Sequence, residues 1–316
     1  MPTILLWVDE AEVFRSAAEA AGLASQCELV ALPRAATPDA ALLARADAIL
    51  AWGAPAGLLA QMPRLRWVQA LTAGVEMWLG RPDVNDRFAL CCARGTHRVS
   101  MPENILAGLF HITKPYTHAV LAQREHQWTR KVGVPLAGQT LGILGLGAIG
   151  AELAKKAAAL ELRVVGTRRR AEPIPHVEKV LPPERTGEIL AESDFVVLLL
   201  PATPATENSV NAAFRAQMKP SAWLLNFGRG ALVVDADLIA AVENKTIAGA
   251  VLDVFRQEPL PPEHPFWATP GIQVLPHIGG MHPTRNSIVA ELFVENLRRF
   301  LAGQPLSAVV DLAAGY

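Results

Sequence analysis

Short apolar runs alternate along this chain with longer stretches in which apolar residues return every three or four positions. The runs Thr3–Val8, Cys27–Leu32, Ala46–Trp52, Leu65–Leu71 and Phe88–Ala93 read as strands. An alanine-rich helix with apolar and acidic faces follows the first and stops at Gly22. Such βα alternation implies a parallel sheet covered by helices, over a length too small for a barrel. Around Ala93–Ser100 the pattern breaks into a polar, charged link. One long amphipathic helix is then predicted from near Met101, with Pro102 where a first turn tolerates it, to about Gln127–Trp128.

A second βα series follows. Its strands are predicted at Thr140–Leu144, Leu162–Thr167, Ser193–Pro201, Ala222–Gly228, Ala248–Phe255 and Ile272–Pro276, with helices over Glu152–Leu160 and Asp235–Asn244. A final helix over Thr284–Ala302 is expected to return to the first domain. The pattern predicts two Rossmann/flavodoxin-like α/β domains with parallel sheets. One domain, residues 99–283, is inserted into the other, residues 1–98 and 284–316.

Composition narrows the class. A length of 316 residues exceeds the usual single core, and 51% hydrophobic with 19% charged residues fits large buried cores. A net charge of −1 argues against a nucleic-acid partner. The three cysteines include the adjacent pair Cys91–Cys92, read as buried strand, and show no zinc-like spacing, so no metal is expected and a reducing compartment is. The apolar N-terminus is short for a signal peptide and meets Asp9 and Glu10 at once, and no run approaches the about 20 apolar residues of a membrane span. A cytoplasmic protein without a membrane partner is expected.

The stretch Thr140-Leu-Gly-Ile-Leu-Gly-Leu-Gly-Ala-Ile-Gly150 carries the first candidate chemistry. Gly145, Gly147 and Gly150 have G-x-G-x-x-G spacing between a strand and a helix. That pattern serves a tight turn, close backbone approach to a pyrophosphate, and close helix–strand packing. The helix start, at Ala148 and Ile149, offers amides to phosphate. Ligands in such sheets bind at the C-terminal strand ends, where Arg229, Glu258 and His277 stand. A guanidinium can grip a carboxylate, an imidazole can donate a proton to a carbonyl oxygen, and a carboxylate beside it orients the ring and favours its protonated form. The residues alone leave open a solvated turn for Arg229, a loop cap for Glu258 and a buried structural role for His277. Spacing alone does not bring the three together.

These motifs together resemble the D-2-hydroxyacid dehydrogenase family over essentially the whole chain. The matching pieces are Gly145–Gly150, Met218–Gly230, Leu252–Pro259 and Pro276–Gly280, in family order. The resemblance implies an NAD(P)-dependent 2-oxo acid reductase with Arg229 on the substrate carboxylate, His277 as acid/base and Glu258 as its partner. It implies further cofactor contacts from Leu200, Pro201, Thr206, Phe227, Asp253 and Gly279. The backbone of Thr72, Ala73, Gly74 and Val75 looks like the family's carboxylate loop. Ala51-Trp-Gly and Gln69–Glu76 look most like the glyoxylate/hydroxypyruvate reductase A subgroup, in which Trp52 would line the pocket; a core role for Trp52 is the alternative. Two departures stand out: His282 where relatives often have threonine, and Glu76 where aspartate is more usual.

An NAD site places an acid at the end of its second strand, and this chain has Gly166-Thr-Arg-Arg-Arg170 there. Thr167, Arg168 and Arg169 are therefore expected to bind a 2′-phosphate, favouring NADP(H) while leaving NAD(H) open; a solvated basic loop is the alternative. A dinucleotide-sensing, corepressor-like binding protein is the competing class. A formate dehydrogenase-like enzyme ranks below it, because those relatives carry glutamine where Glu258 stands. The predicted helix from Met101 has more apolar surface than a small domain needs, which points to a homodimer, with packing inside the cofactor domain as the alternative.

Overall fold

The N-terminal apolar runs become five strands, β1 Thr3–Trp7, β2 Glu28–Leu32, β3 Ala48–Ala51, β4 Trp67–Ala70 and β5 Ala89–Cys91. All pair in parallel in the order β2-β1-β3-β4-β5. The central strands β1, β3 and β4 are buried along their whole length, as a sheet covered on both faces requires. Helix α1 (Ala11–Ala20) ends where Gly22 takes a positive φ of 71° and the Leu23 amide bonds back to the Ala18 carbonyl. Helix α2 (Ala40–Arg45) is capped by Asp39, whose carboxylate accepts from the Leu42 amide. The computed structural model describes residues 1–315 and divides them into two compact units. The first is Met1–Thr96 with the segment from His282 onward, and the second is His97–Met281.

The second unit opens with a correction. The single helix expected from Met101 to Trp128 is two helices, α3 Ser100–Thr113 and α4 Tyr116–Arg124. Pro115 breaks it: a residue before proline is pushed out of the helical region, and Lys114 is extended at φ −115°, ψ 143°. The elements β6 Thr140–Leu144, α5 Ala148–Ala159, β7 Arg163–Thr167 and β8 Lys179–Leu181 follow. Next come α6 Thr186–Glu192, β9 Phe195–Leu198, α7 Ala212–Arg215, β10 Trp223–Asn226, α8 Asp235–Glu243, β11 Gly249–Leu252 and β12 Ile272–Val274. Their sheet is parallel throughout, in the order β12-β11-β10-β9-β6-β7-β8. The order reverses between β6 and β9, the place where a doubly wound sheet opens for a ligand. Helix α3 lies close on this sheet because Gly108 sits opposite Leu225 and Val251.

Helix α9 (Arg285–Leu301) belongs to the first unit. Phe293 meets Phe14 edge-on at 5.8 Å and stacks on Trp67 at 5.6 Å. Asn296 on the same helix is fully buried, with every polar atom used: Nδ2 donates to Gln69 Oε1 and the Ser307 carbonyl, and Oδ1 accepts from the Ser307 amide. Among the described residues, no helix is long and apolar enough to cross a membrane.

That network yields a stability prediction. Asn296→Ala leaves the buried Gln69 amide oxygen and the half-buried Ser307 amide without their partner, and is expected to lower the unfolding free energy by about 2 kcal/mol. Urea denaturation would measure it, and an unchanged midpoint would show that the network contributes nothing.

Candidate active site

The glycine turn follows from steric limits at each position. Gly145 has φ +107°, and a Cβ there would stand 2.7 Å from the Leu199 carbonyl oxygen. The amides of Gly145 and Leu146 both donate to the Thr167 carbonyl, tying the ends of β6 and β7 together. A Cβ on Gly150 would lie 2.7 Å from the Gly145 carbonyl oxygen, so its absence lets α5 close on β6. Gly147 faces open space and is the N-cap of α5 without a side-chain cap. The first-turn amides at Ala148 and Ile149 thus point at an unobstructed surface with the positive end of the helix behind them, a cradle that fits a pyrophosphate.

At the end of β7, Thr167 is buried, Arg168 is half-buried with its amide on the Leu181 carbonyl, and Arg169 and Arg170 are exposed. Beyond β9, Leu200 and Pro201 are half-buried, and the Thr206 hydroxyl donates to the Pro201 carbonyl at 2.6 Å. Phe227, past β10, is 2% exposed.

Arg229 sits on a turn fixed from beneath by Asn226, whose Oδ1 accepts from the Gly228 amide and whose Nδ2 donates to the Arg229 carbonyl. Gly230 must be glycine, since a Cβ would fall 1.9 Å from the Phe255 carbonyl carbon. Arg229 itself is half-buried, with Nη1 on the Gly228 carbonyl.

Glu258 combines two of the roles open to it. One oxygen accepts from the Phe255 amide at 2.9 Å, capping the loop after β11, and the other lies 2.5 Å from His277 Nδ1. The carboxylate therefore holds the ring by Nδ1 and leaves Nε2 as the nitrogen available to another molecule. The His277 side chain is 54% exposed, which excludes a buried structural role. Its backbone occupies the left-handed region at φ +52°, a costly conformation that a non-glycine residue keeps only when its surroundings enforce it.

That enforcement comes from residues the sequence did not single out for it. Asp253 is fully buried, and its two oxygens accept from the Ile278 and Gly279 amides at 2.7 and 2.9 Å. Burial pushes this carboxyl up from its ordinary range, while the two amides pull it back. Asn104 on α3 donates to the Gly279 carbonyl at 3.0 Å. Gly279 cannot carry a side chain, because a Cβ would approach Asp253 Oδ2 to 2.5 Å and Phe227 to 2.8 Å. Asp253, expected as a cofactor contact, is engaged in fastening the loop that bears His277. Asn104 left no signal, being one polar residue on an ordinary helix.

In the first unit, Trp52 follows β3 and is half-buried against the core that includes α1 and α9. The loop Thr72–Val75 follows β4; the Thr72 hydroxyl donates to the Gly74 carbonyl, and Val75 is buried. His282 is half-buried, its Nδ1 3.2 Å from the Thr284 hydroxyl. Cys27, Cys91 and Cys92 are buried thiols, and burial drives Cys91 up to about 12. Among the described residues, no group of three or more metal-ligating side chains is assembled.

The fastening of the His277 loop predicts a local effect. Asp253→Ala is expected to accelerate amide exchange at Ile278 and Gly279 by about tenfold or more, as two charge-assisted hydrogen bonds are lost. Unchanged protection there would mean that other contacts hold the loop.

Residues 106–279, more than half of the chain, match the family model for the D-isomer specific 2-hydroxyacid dehydrogenase NAD binding domain. A glyoxylate/hydroxypyruvate reductase A of Serratia proteamaculans is 32% identical over 277 residues, covering 86% of this chain and 88% of the relative. A D-isomer specific 2-hydroxyacid dehydrogenase of Xanthobacter autotrophicus, solved in complex with NADPH and MES, superposes with a TM-score of 0.88 at 31% identity, over 100% of this chain and 99% of that one. An NADPH-dependent glyoxylate/hydroxypyruvate reductase of Sinorhizobium meliloti, solved with NADP and sulfate, gives 0.84 at 29% identity over the whole of both chains. The chain belongs to the D-isomer specific 2-hydroxyacid dehydrogenase family and is an NAD(P)-dependent oxidoreductase.

Proposed function

We propose that the chain reduces a short 2-oxo acid of the glyoxylate or hydroxypyruvate type to the D-2-hydroxy acid, using NADPH. The observation that carries this reading is the Glu258–His277 pair at the ends of β11 and β12, in the same unit as the glycine turn. The nicotinamide, when bound, supplies the hydride. Gly145, Gly147 and Gly150 leave room for the pyrophosphate, and the first-turn amides of α5 answer its charge. Leu200, Pro201, Thr206, Phe227 and Gly279 frame the remainder of that site. His277, held through Nδ1 by Glu258, gives the proton on Nε2 to the substrate's carbonyl oxygen. Arg229 offers a substrate carboxylate its planar fork. The backbone of Thr72–Val75, in the first unit, offers amide donors to a carboxylate.

The cofactor preference rests on the end of β7. Arg168 and Arg169 stand where a ribose-binding acid would repel a 2′-phosphate, and Thr167 closes the strand beneath them. The relatives solved with NADPH and NADP support the same choice.

Self-association is the further part of this reading. The segment from Phe110 to Val134 exposes Tyr116, Val120 and Leu121 with Trp128 at 91% and Val132 at 92%, large apolar side chains left to water within one segment. A second copy of the chain, related by a twofold axis, would cover it.

Two measurements test these points. Steady-state oxidation of NADPH and NADH against a panel of 2-oxo acids is expected to favour NADPH, with Arg168→Ala cutting that preference about tenfold and His277→Asn lowering kcat by about 10²–10⁴-fold. An initial preference for NADH, or equal loss with both cofactors, would sink the NADPH assignment; no turnover with any 2-oxo acid would sink the reductase. Light scattering on the eluting protein is expected to give a dimer mass that Trp128→Ser with Val132→Ser reduces to a monomer, and a monomeric parent chain would refute the interface.

A further inference from the structure

Trp52 is the centre of an arrangement that none of these roles uses. Two guanidinium groups lie over its indole, Arg285 at 4.3 Å from the ring centroid and Arg34 at 5.7 Å. Arg34 follows β2, Trp52 follows β3, and Arg285 opens α9, so the three converge on the C-terminal edge of the first sheet. A parallel sheet offers its ligand site along that edge.

Arg285 fixes the geometry. Its Nη2 donates to the Leu71 carbonyl, immediately before the loop Thr72–Val75, and its Nη1 donates to Asn286 Oδ1 at 2.8 Å. Both acceptors are neutral, and the guanidinium is half-buried over Trp52; the Glu10 carboxylate, which accepts from Asn286 Nδ2 at 2.5 Å, answers part of its charge through space. Asp9 accepts from the backbone amide of Arg34. The Arg34 side chain is exposed. Beside Trp52, the Met77 sulfur lies so close over Gly53 that a Cβ there would come within 2.6 Å of it. An indole and a thioether thus form an apolar wall with two cations on its rim.

We propose that Arg34 and Arg285, arrayed on Trp52, form an anion subsite for the far end of the substrate. The chain then prefers a 2-oxo acid ending in a second carboxylate over one of the same shape with a neutral end. The inference rests on the reading that Thr72–Val75 holds the first carboxylate, because Arg285 is bonded to the carbonyl of Leu71, the residue just before that loop. Arg285 orients the indole and the loop, and Arg34 supplies the mobile charge that closes on the second anion through charge-assisted hydrogen bonds.

Oxaloacetate and 4-methyl-2-oxopentanoate share one heavy-atom skeleton and differ in their charged and neutral ends, so they isolate the effect. With NADPH, the ratio of kcat/KM for oxaloacetate over its neutral partner is expected to be about tenfold or more. Arg34→Gln is expected to collapse most of that ratio and Arg34→Lys to restore part of it. Calorimetric binding of the same two acids, with and without NADP⁺, separates the two layers of the reading. Arg34-dependent preference for oxaloacetate in binding without turnover would keep the subsite and overturn the reductase. Turnover with a ratio near one, or a ratio that Arg34→Gln does not move, would overturn the subsite and keep the reductase. Absence of both binding and turnover would overturn both.

Discussion

A parallel strand buried on both faces can place polar chemistry only at its end. β1, β3, β4, β6 and β9 are buried along their whole length, and their side chains are committed to the cores on either side. Most of the groups given a chemical part here lie at or just beyond the C-terminal end of a strand in one of the two sheets. The constraint also explains the glycines. Gly145, Gly150 and Gly230 meet another stretch of backbone and Gly279 meets the side chains of Asp253 and Phe227, and each would bring a Cβ within 2.7 Å of a neighbouring atom. The site is crowded by backbone because the sheet beneath it has no room for alternatives.

Crowding has a second consequence, visible at His277. In the proposed reading His277 transfers a proton, which asks for one ring nitrogen exposed and the other fixed, and here the ring is fixed on a left-handed backbone. The structure supplies both by layers: Glu258 holds the ring, Asp253 holds the two amides that follow, and Asn104 holds a carbonyl beyond them. A buried carboxylate costs desolvation energy, and Asp253 offsets it with two backbone donors that the left-handed turn at His277 aims inward. The strain and the buried charge stabilise each other, and neither would persist alone.

The fold class was legible because its signals are long and redundant. Apolar runs mark buried strands whatever their exact ends, and the predicted strands all appear within a few residues of their observed positions. What escaped was short or local. β8, α2, α6 and α7 span three to seven residues, too few for a period to register. The break at Pro115 was overlooked because the apolar pattern continues across it, although the proline itself was in view. At the site, Arg229, Glu258 and His277 were legible as residue types at strand ends, but 19 positions separate Glu258 from His277 and no period joins them. Only the register that sets β11 beside β12 brings their loops together. The second task of Asp253 was hidden for a related reason, since its partners are backbone amides that carry no letter in a sequence.

In the proposed reading, the second unit holds groups whose work is common to any hydride transfer to a carbonyl: the glycine turn for phosphate, Glu258 with His277, and Arg229. The first holds the groups with freedom to vary, since nothing in that chemistry dictates what stands over Trp52. Arg285 is bound to that position by its bond to the Leu71 carbonyl and its stacking on the indole, two contacts that would survive any choice of substrate. Arg34 is exposed on a loop held by its own amide on Asp9, by the Ala36 amide on the Pro33 carbonyl and by Trp7 Nε1 on the Ala36 carbonyl. Its charged end meets the Trp52 ring at 5.7 Å, a contact worth little at an exposed site, so the fold depends little on that charge. Its charge stands at an aromatic ring that already holds one cation, and an incoming anion would be drawn to both.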